Sequence, residues 1–307
     1  MRIACLQLAP SLGEITQNIQ RAEAILKNAA PQNLDLLMLP ELAFTGEPRV
    51  GGSVSNRYAQ REILLGYNFN SLSEISPHLE VTAAGPSTIW ASSTARRLNC
   101  YVIVGYPEIT HESEGCPVSR YNSAVMVSPS GSVIVNYRKH HLFMTDETWA
   151  EEGKEGFFAS DVPALGRVAI GICMDINPHR FIAPFHSYEF ATHVLASSAV
   201  LTLLPMAWLA SEPPSTFQTD PELPDATTAH YWESRFRPLL EGKSNDREAL
   251  VVVCNRSGSE REAHYAGTSS VIGLQNGAFR CFGILGRGVE DLLVVDTQVQ
   301  TVASKVV

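Results

Sequence analysis

The chain has 307 residues, of which 45% are hydrophobic and 18% are charged, proportions typical of a globular protein with a substantial core. Its formal net charge of −9 argues against nucleic acid or an anionic membrane as a partner. The sequence has no apolar run of membrane-spanning length and no signal-peptide pattern at its first residues, so we expect a cytoplasmic protein that does not bind membranes.

Apolar runs and helical periodicity predict an alternation of strands and helices in the first third of the chain. Residues 43–86 break this pattern, because they are rich in Gly, Ser, Asn and Pro and are expected to form a long surface excursion. Such excursions in compact domains are usually functional or mobile. The predicted elements are strand 3–8, helix 17–30, strand 34–39, helix 87–98 and strand 100–106.

The rest of the chain is predicted to contain two hairpins, with turns at Pro129 and at Asn276-Gly277. No linker or charge run divides the sequence, so residues 1–307 are interpreted as a single domain whose sheets are covered by helices on their outer faces. The predicted elements are hairpin strands 121–127 and 132–137, a strand from 168, helix 188–195, strand 200–204, helix 226–240, strand 249–254, hairpin strands 268–274 and 279–285, and strand 292–296.

Cys173 lies at the end of a buried apolar strand that begins at Val168. Gly171 and Pro178 mark a sharp exit from the strand, because proline cannot continue a ladder. Open α/β sheets bind their ligands at such strand ends, although a free cysteine is often only a small buried hydrophobe. The position makes Cys173 a candidate nucleophile.

Two charged residues stand at other predicted strand ends. Glu41 follows the strand that ends at Leu39, where partial desolvation would raise its pKa toward the range useful for proton transfer. Lys139 ends the second hairpin strand, where it could stabilise an oxyanion and favour a nearby thiolate. Taken alone, Glu41 is better explained as a solvated loop glutamate, and Lys139 alone is weak evidence because it could belong to a basic surface cluster.

Together the three residues suit nucleophilic catalysis without a histidine. Cys173 would attack a carbonyl or nitrile carbon, Glu41 would pass the thiol proton to the leaving amine, and Lys139 would stabilise the tetrahedral oxyanion. The backbone N–H of Met174 is a candidate second oxyanion donor.

Three segments of the sequence resemble the signatures of the nitrilase, or carbon–nitrogen hydrolase, superfamily. They are Pro40–Leu42, Tyr137–Leu142 and Gly171–Asp175, in the order and spacing of that family. The resemblance extends to Gly267–Ser270 and implies that Glu41, Lys139 and Cys173 are the family's catalytic triad. It also implies an α/β fold, a four-layer αββα sandwich of the nitrilase type, and a homodimer.

The segments Cys173–Phe185, Pro205–Leu209 and Thr145–Trp149 are similar to those of the fungal protein N-terminal amidase branch. That branch deamidates N-terminal Asn and Gln of proteins to Asp and Glu, which generates degradation signals of the N-degron pathway. The resemblance therefore implies N-terminal Asn or Gln of peptides or proteins as the substrate.

Candidate substrate-binding residues are chosen from their positions near the triad. The family often has a second glutamate shortly after the lysine, for which Glu147 is our choice and Glu151 and Glu152 are alternatives. Asp175 could pair with a cationic α-amino group or could be a turn residue before Pro178. The remaining candidates are the pocket residues Met174 and Trp208, although an aromatic residue in an apolar run such as Trp208 is more often part of the core.

Other functions remain open at this stage. The six cysteines and the histidines match no zinc spacing, and the mechanism needs neither a metal nor a cofactor, so none is predicted. The alternatives are a small-molecule amidase of the ω-amidase or carbamoylase type, and a non-catalytic binding protein on the same fold. A Cys-His protease would leave Glu41 and Lys139 unexplained.

Overall fold

The computed structural model describes residues 1–11, 13–45, 69–111, 117–211, 219–241, 248–261, 263–275 and 277–298. Residues 46–68 of the predicted surface excursion, together with Cys116 and Asn276, lie outside these ranges.

Most of the predicted strands and helices are confirmed to within a few residues. In the described ranges the strands are β1 (Arg2–Gln7), β2 (Leu36–Met38), β3 (Glu80–Val81), β4 (Tyr101–Ile109), β5 (Arg120–Val127), β6 (Val133–Arg138), β7 (Phe158–Val162), β8 (Gly166–Ile170), β9 (Leu201–Met206), β10 (Ala249–Asn255), β11 (Ser259–Glu260), β12 (Ala263–His264), β13 (Ser270–Gln275), β14 (Ala278–Ile284) and β15 (Asp291–Asp296). The helices are α1 (Ile15–Ala29), α2 (Leu72–Ile75), α3 (Pro86–Leu98), α4 (Glu189–Ala196), α5 (Ala226–Arg235) and α6 (Arg237–Glu241).

The strands form two large sheets. The first has the order β15–β1–β2–β4–β5–β6, with β3 beside β4, and the second has the order β14–β13–β10–β9–β8–β7. In each sheet the central strands are parallel and the outer strands are antiparallel. This arrangement follows from the chain order, because helical crossovers join parallel strands and tight turns join antiparallel ones.

Alternate residues of β1 show how the layers stack. Ile3 and Cys5 belong to the core that the first sheet shares with the second sheet. Ala4 and Leu6 point to the opposite face and pack with residues of α1 and α3, as the two-residue period of a strand requires. The first sheet is therefore buried on both faces.

Helices α4 and α5 cover the outer face of the second sheet, where Phe190, Val194 and Trp232 join its core. The order of layers is helices, sheet, sheet, helices, which confirms the predicted αββα sandwich. Among the helices of the described ranges, none is long and apolar enough to cross a membrane.

The structure differs from the predicted elements in several places. It contains α2 and β3 within the predicted surface excursion, and the short strands β11 and β12, none of which was predicted. The single helix predicted over 226–240 is divided into α5 and α6 at Phe236, because Pro238 has no N–H for a continuous helix. The edge strand β7 was not predicted, because its residues Phe158–Val162 are only partly buried and carry no apolar alternation. None of these differences moves the ends of β2, β6 and β8.

Candidate active site

Glu41 lies in the turn that follows β2 and is fully buried. Its Oε1 accepts hydrogen bonds from Lys139 Nζ at 2.6 Å and from Asn122 Nδ2 at 2.7 Å, and its Oε2 accepts one from the backbone N–H of Ala207 at 2.9 Å. The turn packs directly on Gly105 of β4, where an added Cβ would lie 2.6 Å from the Cα of Glu41. Glycine at this position therefore lets the backbone of Glu41 pack closely against β4.

Lys139 follows β6 directly and is also fully buried. Its Nζ lies 2.6 Å from Glu41 Oε1 and 2.7 Å from Asp146 Oδ2. Burial opposes the charged form, but the negative charges of Asp146 and Glu41 outweigh it and hold the pKa of Lys139 above its usual value. The side chain is therefore a permanent cation fixed between two carboxylates.

Asp146 is the second acidic residue at the lysine, and the sequence analysis missed it. Besides Lys139, it accepts hydrogen bonds from Asn122 Nδ2 at 3.2 Å and from the backbone N–H of Phe143 at 3.1 Å. Burial, with the nearby charge of Glu41, raises the pKa of its carboxyl group against the opposing effect of Lys139. Its position seven residues after Lys139 could have indicated this role. The loop contains several acidic residues, however, and its conformation decides which of them points toward Lys139.

The prediction that Glu147 is this residue is wrong. The Glu147 side chain is 44% exposed and faces Arg180 at 3.5 Å. The two alternatives also point elsewhere, since Glu151 pairs with Lys154 and Glu152 accepts a hydrogen bond from His179. All three glutamates lie on the surface side of the loop, where water solvates their charges.

Cys173 begins a short 3-10 turn, Cys173–Ile176, just beyond the end of β8. Its φ of +44° lies in the left-handed region that non-glycine residues rarely adopt. The strand exit at Gly171 passes close to the ring of Phe190, 2.7 Å from where a Cβ would stand. The crowded exit and the strained backbone together direct the thiol toward Glu41.

The environment of Cys173 favours the thiol over the thiolate. Burial and the charge of Glu41 raise the pKa of Cys173 well above its usual value, and Lys139 and the backbone N–H of Ala207 only partly offset them. Glu41 and Lys139 are both near enough to act on its charge, in opposite directions. The resting site therefore holds a protonated thiol near a carboxylate, and not the preformed thiolate that a lysine alone would favour.

Asp175 is fully buried, and its hydrogen-bond partners are not the ones we expected. Its Oδ1 accepts from the backbone N–H groups of His140 and His141, at 3.1 and 2.7 Å. Its Oδ2 accepts from Tyr137 Oη at 2.8 Å and from the backbone N–H of Ile172 at 2.7 Å. With four donors on its two oxygens, Asp175 has no room for a substrate ammonium, so the predicted pairing is wrong and the alternative structural role describes the residue.

A cavity of about 290 Å³ opens beside Cys173. Met174 and Trp208, both proposed from the sequence as pocket residues, lie in its wall. No Lys, Arg, His, Asp or Glu is among the described residues that line it. The lining residues are Phe143, Cys173, Met174, Asn177, Phe181, Ala207, Trp208, Leu209 and Tyr231.

The site thus combines a buried thiol, a buried carboxylate paired with a fixed cation, and an adjoining cavity of small-molecule size. Such a set can form and hydrolyse an acyl-enzyme at an electrophilic carbon. In the part of the chain that the structure describes, no cluster of three His, Cys, Asp or Glu side chains suits a metal ion.

Comparisons with known proteins agree with this chemistry. The protein N-terminal amidase of Schizosaccharomyces pombe is 34% identical over 96% of this chain and 98% of its own length. Crystal structures of an N-terminal amidase with a Gln-Val peptide and with an Asn-Glu peptide each superimpose with a TM-score of 0.77, over 96% of both chains, at 22% and 23% identity. Because the identity is below 25%, these two structures establish the fold alone.

Residues 2–183, which include Glu41, Lys139 and Cys173, match the carbon-nitrogen hydrolase family. The chain therefore belongs to the carbon–nitrogen hydrolases, and it is a hydrolase of carbon–nitrogen bonds other than peptide bonds.

Proposed function

We propose that this enzyme deamidates N-terminal Asn and Gln of peptides or proteins to Asp and Glu and releases ammonia. The observation that carries the proposal is the buried Cys173 thiol at the wall of a cavity whose described lining residues carry no charge, beside the ion pair of Glu41 and Lys139. The near full-length similarity to the S. pombe protein N-terminal amidase supports the choice of substrate.

The first half of the reaction forms a thioester. Glu41 accepts the thiol proton as Cys173 Sγ attacks the side-chain amide carbon, and the carbonyl electrons move onto the oxygen. We assign the stabilisation of that oxyanion to Lys139 and to the backbone N–H of Met174. Glu41 then gives its proton to the amide nitrogen, the carbon–nitrogen bond breaks, and ammonia leaves.

The second half reverses the proton transfers. Glu41 takes a proton from a water molecule that attacks the thioester carbon, and the collapse of the tetrahedral intermediate breaks the carbon–sulfur bond. The thiolate recovers the proton from Glu41, which restores the resting thiol.

The test is ammonia release from Asn- and Gln-starting peptides, their N-acetylated forms and free ω-amides. We expect the free peptides to be turned over far better than the acetylated ones. We also expect Cys173→Ala to abolish turnover and remove a mass-spectrometric acyl adduct on the Cys173 peptide, whereas Cys281→Ala, at an exposed free cysteine, retains both.

Three outcomes would contradict the proposal. Equal turnover of free and acetylated peptides would leave a small-molecule amidase. Full activity of Cys173→Ala would reject the nucleophile. No turnover of any amide by the folded wild-type protein would favour a non-catalytic binding protein.

A further inference from the structure

Two polar side chains besides Cys173 line the otherwise apolar and aromatic cavity. Tyr231 Oη, on α5, donates a hydrogen bond to Asn177 Oδ1 at 2.7 Å. We infer that Asn177 and Tyr231 together bind the α-ammonium group of the substrate and so determine its specificity for a free N-terminus. The inference depends on the proposed function, since it names the residues that recognise the amine.

The hydrogen-bond directions leave acceptors for a cation. An amide carbonyl oxygen has two lone pairs, and Asn177 Oδ1 uses one of them on Tyr231. The hydroxyl proton of Tyr231 is committed to Asn177, so the lone pairs of Oη stay available. Burial raises the pKa of Tyr231, which keeps the hydroxyl protonated and this orientation fixed near neutral pH.

Asn177 is held rigidly in the cavity wall. Its side chain is only 4% exposed, its backbone N–H donates to Met174 O at 2.9 Å, and its carbonyl oxygen accepts from His141 Nδ1 at 3.1 Å. Its Nδ2 faces Met174 Sδ at 3.2 Å, which leaves the carbonyl side of the amide for Tyr231 and for a ligand. An acceptor fixed in this way loses little entropy when it binds.

The walls of the cavity suit a cation better than an anion. The rings of Trp208 and Tyr231 lie with centroids 5.4 Å apart, and Phe143 and Phe181 complete an aromatic lining. Ring faces attract ammonium groups, and no cationic side chain is found among the described lining residues. An ammonium placed there gains two oxygen acceptors, and the cation that acts on Tyr231, Arg235, is not among the described lining residues.

The proposed amine site and Cys173 line the same cavity, as the substrate class requires. Asn177 immediately follows the 3-10 turn that begins at Cys173, and in N-terminal Asn or Gln the α-nitrogen is only a few bonds from the reacting carbon. Arg235, one helical turn after Tyr231, donates from Nε to Ile176 O at 2.7 Å. This bond ties α5 to the 3-10 turn and fixes Tyr231 against Asn177.

The experiment compares a Gln-Val peptide with propionamide, an uncharged amide, in three proteins. For Tyr231→Phe we expect kcat/KM on the peptide to fall roughly 10-fold, as for one lost hydrogen bond to a charged group, and kcat/KM on propionamide to change by less than about twofold. Tyr188→Phe is the matched control, because Tyr188 also packs on Phe185 but does not line the cavity. It should leave both values unchanged.

A second variant tests the same site by an expected increase in selectivity for the peptide. Asn177→Asp supplies a carboxylate to the ammonium and should raise the ratio of kcat/KM for peptide over propionamide several-fold, on the order expected for a charge-assisted bond. Equal losses on both substrates in Tyr231→Phe, or an unchanged ratio in both variants, would overturn the inference. If instead the wild-type enzyme does not distinguish free from acetylated peptides, the proposed function itself fails.

Discussion

At the scale of single residues, the site is a chain of buried charges that compensate one another. Lys139, Glu41 and Asp146 have at most 1% exposure, and an isolated charge at such a depth would be strongly unfavourable. Each charge is tolerated because hydrogen bonds of 2.6 and 2.7 Å connect the lysine to both acids. Removal of one member therefore disturbs the other two.

We predict that Asp146→Asn lowers kcat on the order of 10², because Lys139 loses the partner that holds Nζ for the oxyanion. KM should change much less, since Asp146 is not among the residues that line the cavity. Steady-state kinetics on a Gln-starting peptide, with thermal unfolding to show that the variant is folded, would measure this effect.

Glu147→Gln is the matched control, because it removes the neighbouring carboxylate, which is exposed and faces Arg180. We expect its kcat to stay within about twofold of wild type, as is usual for surface changes. A large loss in Glu147→Gln with an active Asp146→Asn would show that the loop orients these two acids differently in the working enzyme.

At the scale of elements, the ends of β6 and β8 are joined by one carboxylate. Asp175 accepts hydrogen bonds from Tyr137 and from the backbone of His140 and His141 on one side, and from Ile172 on the other. The two strands belong to different sheets, so Asp175 fixes the position of Lys139 relative to Cys173.

Asp175→Asn replaces one acceptor oxygen by a donor that would face other donors. We predict a loss of about 2–4 kcal/mol in the free energy of unfolding, as expected when hydrogen bonds to a buried carboxylate are broken. Urea denaturation would measure it as a lower midpoint with an unchanged slope. Activity should fall by the same factor on a free peptide and on an uncharged ω-amide, and a selective loss on the peptide would contradict the structural role.

At the scale of the whole molecule, the site exists only when the two sheets pack together. Glu41 and Lys139 follow strands of the first sheet, and Cys173 follows a strand of the second. The contact of Glu41 Oε2 with the backbone N–H of Ala207, just after β9, crosses the same interface. Global stability and activity are therefore coupled, and conditions that weaken the packing of the sheets also separate the nucleophile from its base.

Buried histidines make that stability depend on pH. Burial lowers the pKa of His78, which packs on Phe69 with ring centroids 5.3 Å apart, and also lowers that of His141. As the pH falls through the unfolded value of about 6.5, the unfolded chain takes up protons that the folded protein does not accept. We predict that the free energy of unfolding decreases between about pH 7.5 and 5.5.

The contribution of His78 can be isolated by substitution. Urea denaturation across this range should give a flatter pH dependence for His78→Leu than for wild type, whereas His111→Gln, at an exposed position, should keep the wild-type dependence. The comparison of variants is needed because other buried groups also make stability depend on pH. Burial raises the pKa of Glu260, so its protonation stabilises the folded protein as the pH falls, opposite to the effect of His78. An identical slope in His78→Leu and wild type would mean that the pKa of His78 does not differ between the folded and unfolded protein.

The sequence by itself determined the elements and the residues at their ends. Strands such as β1 and β10 are continuous apolar runs, because sheets covered on both faces admit little else, and this made the layered fold predictable. Glu41 and Cys173 could be selected because each stands just after such a run, where the backbone must turn, and Lys139 because it ends a hairpin strand. The local sequence pattern was sufficient to predict an element wherever burial determines the residue type.

Only the tertiary structure decided which neighbouring polar groups turn inward. Asp146 and Glu147 are adjacent acids, and the loop after Lys139 sends the first to Nζ and the second to solvent. Asp175 has the chemistry of an ammonium partner, yet four donors from two sheets occupy it, while Asn177 with Tyr231, 54 residues away, supplies the polar face of the cavity. The direction of a side chain depends on backbone angles and on partners distant in the chain, and residue spacing carries neither.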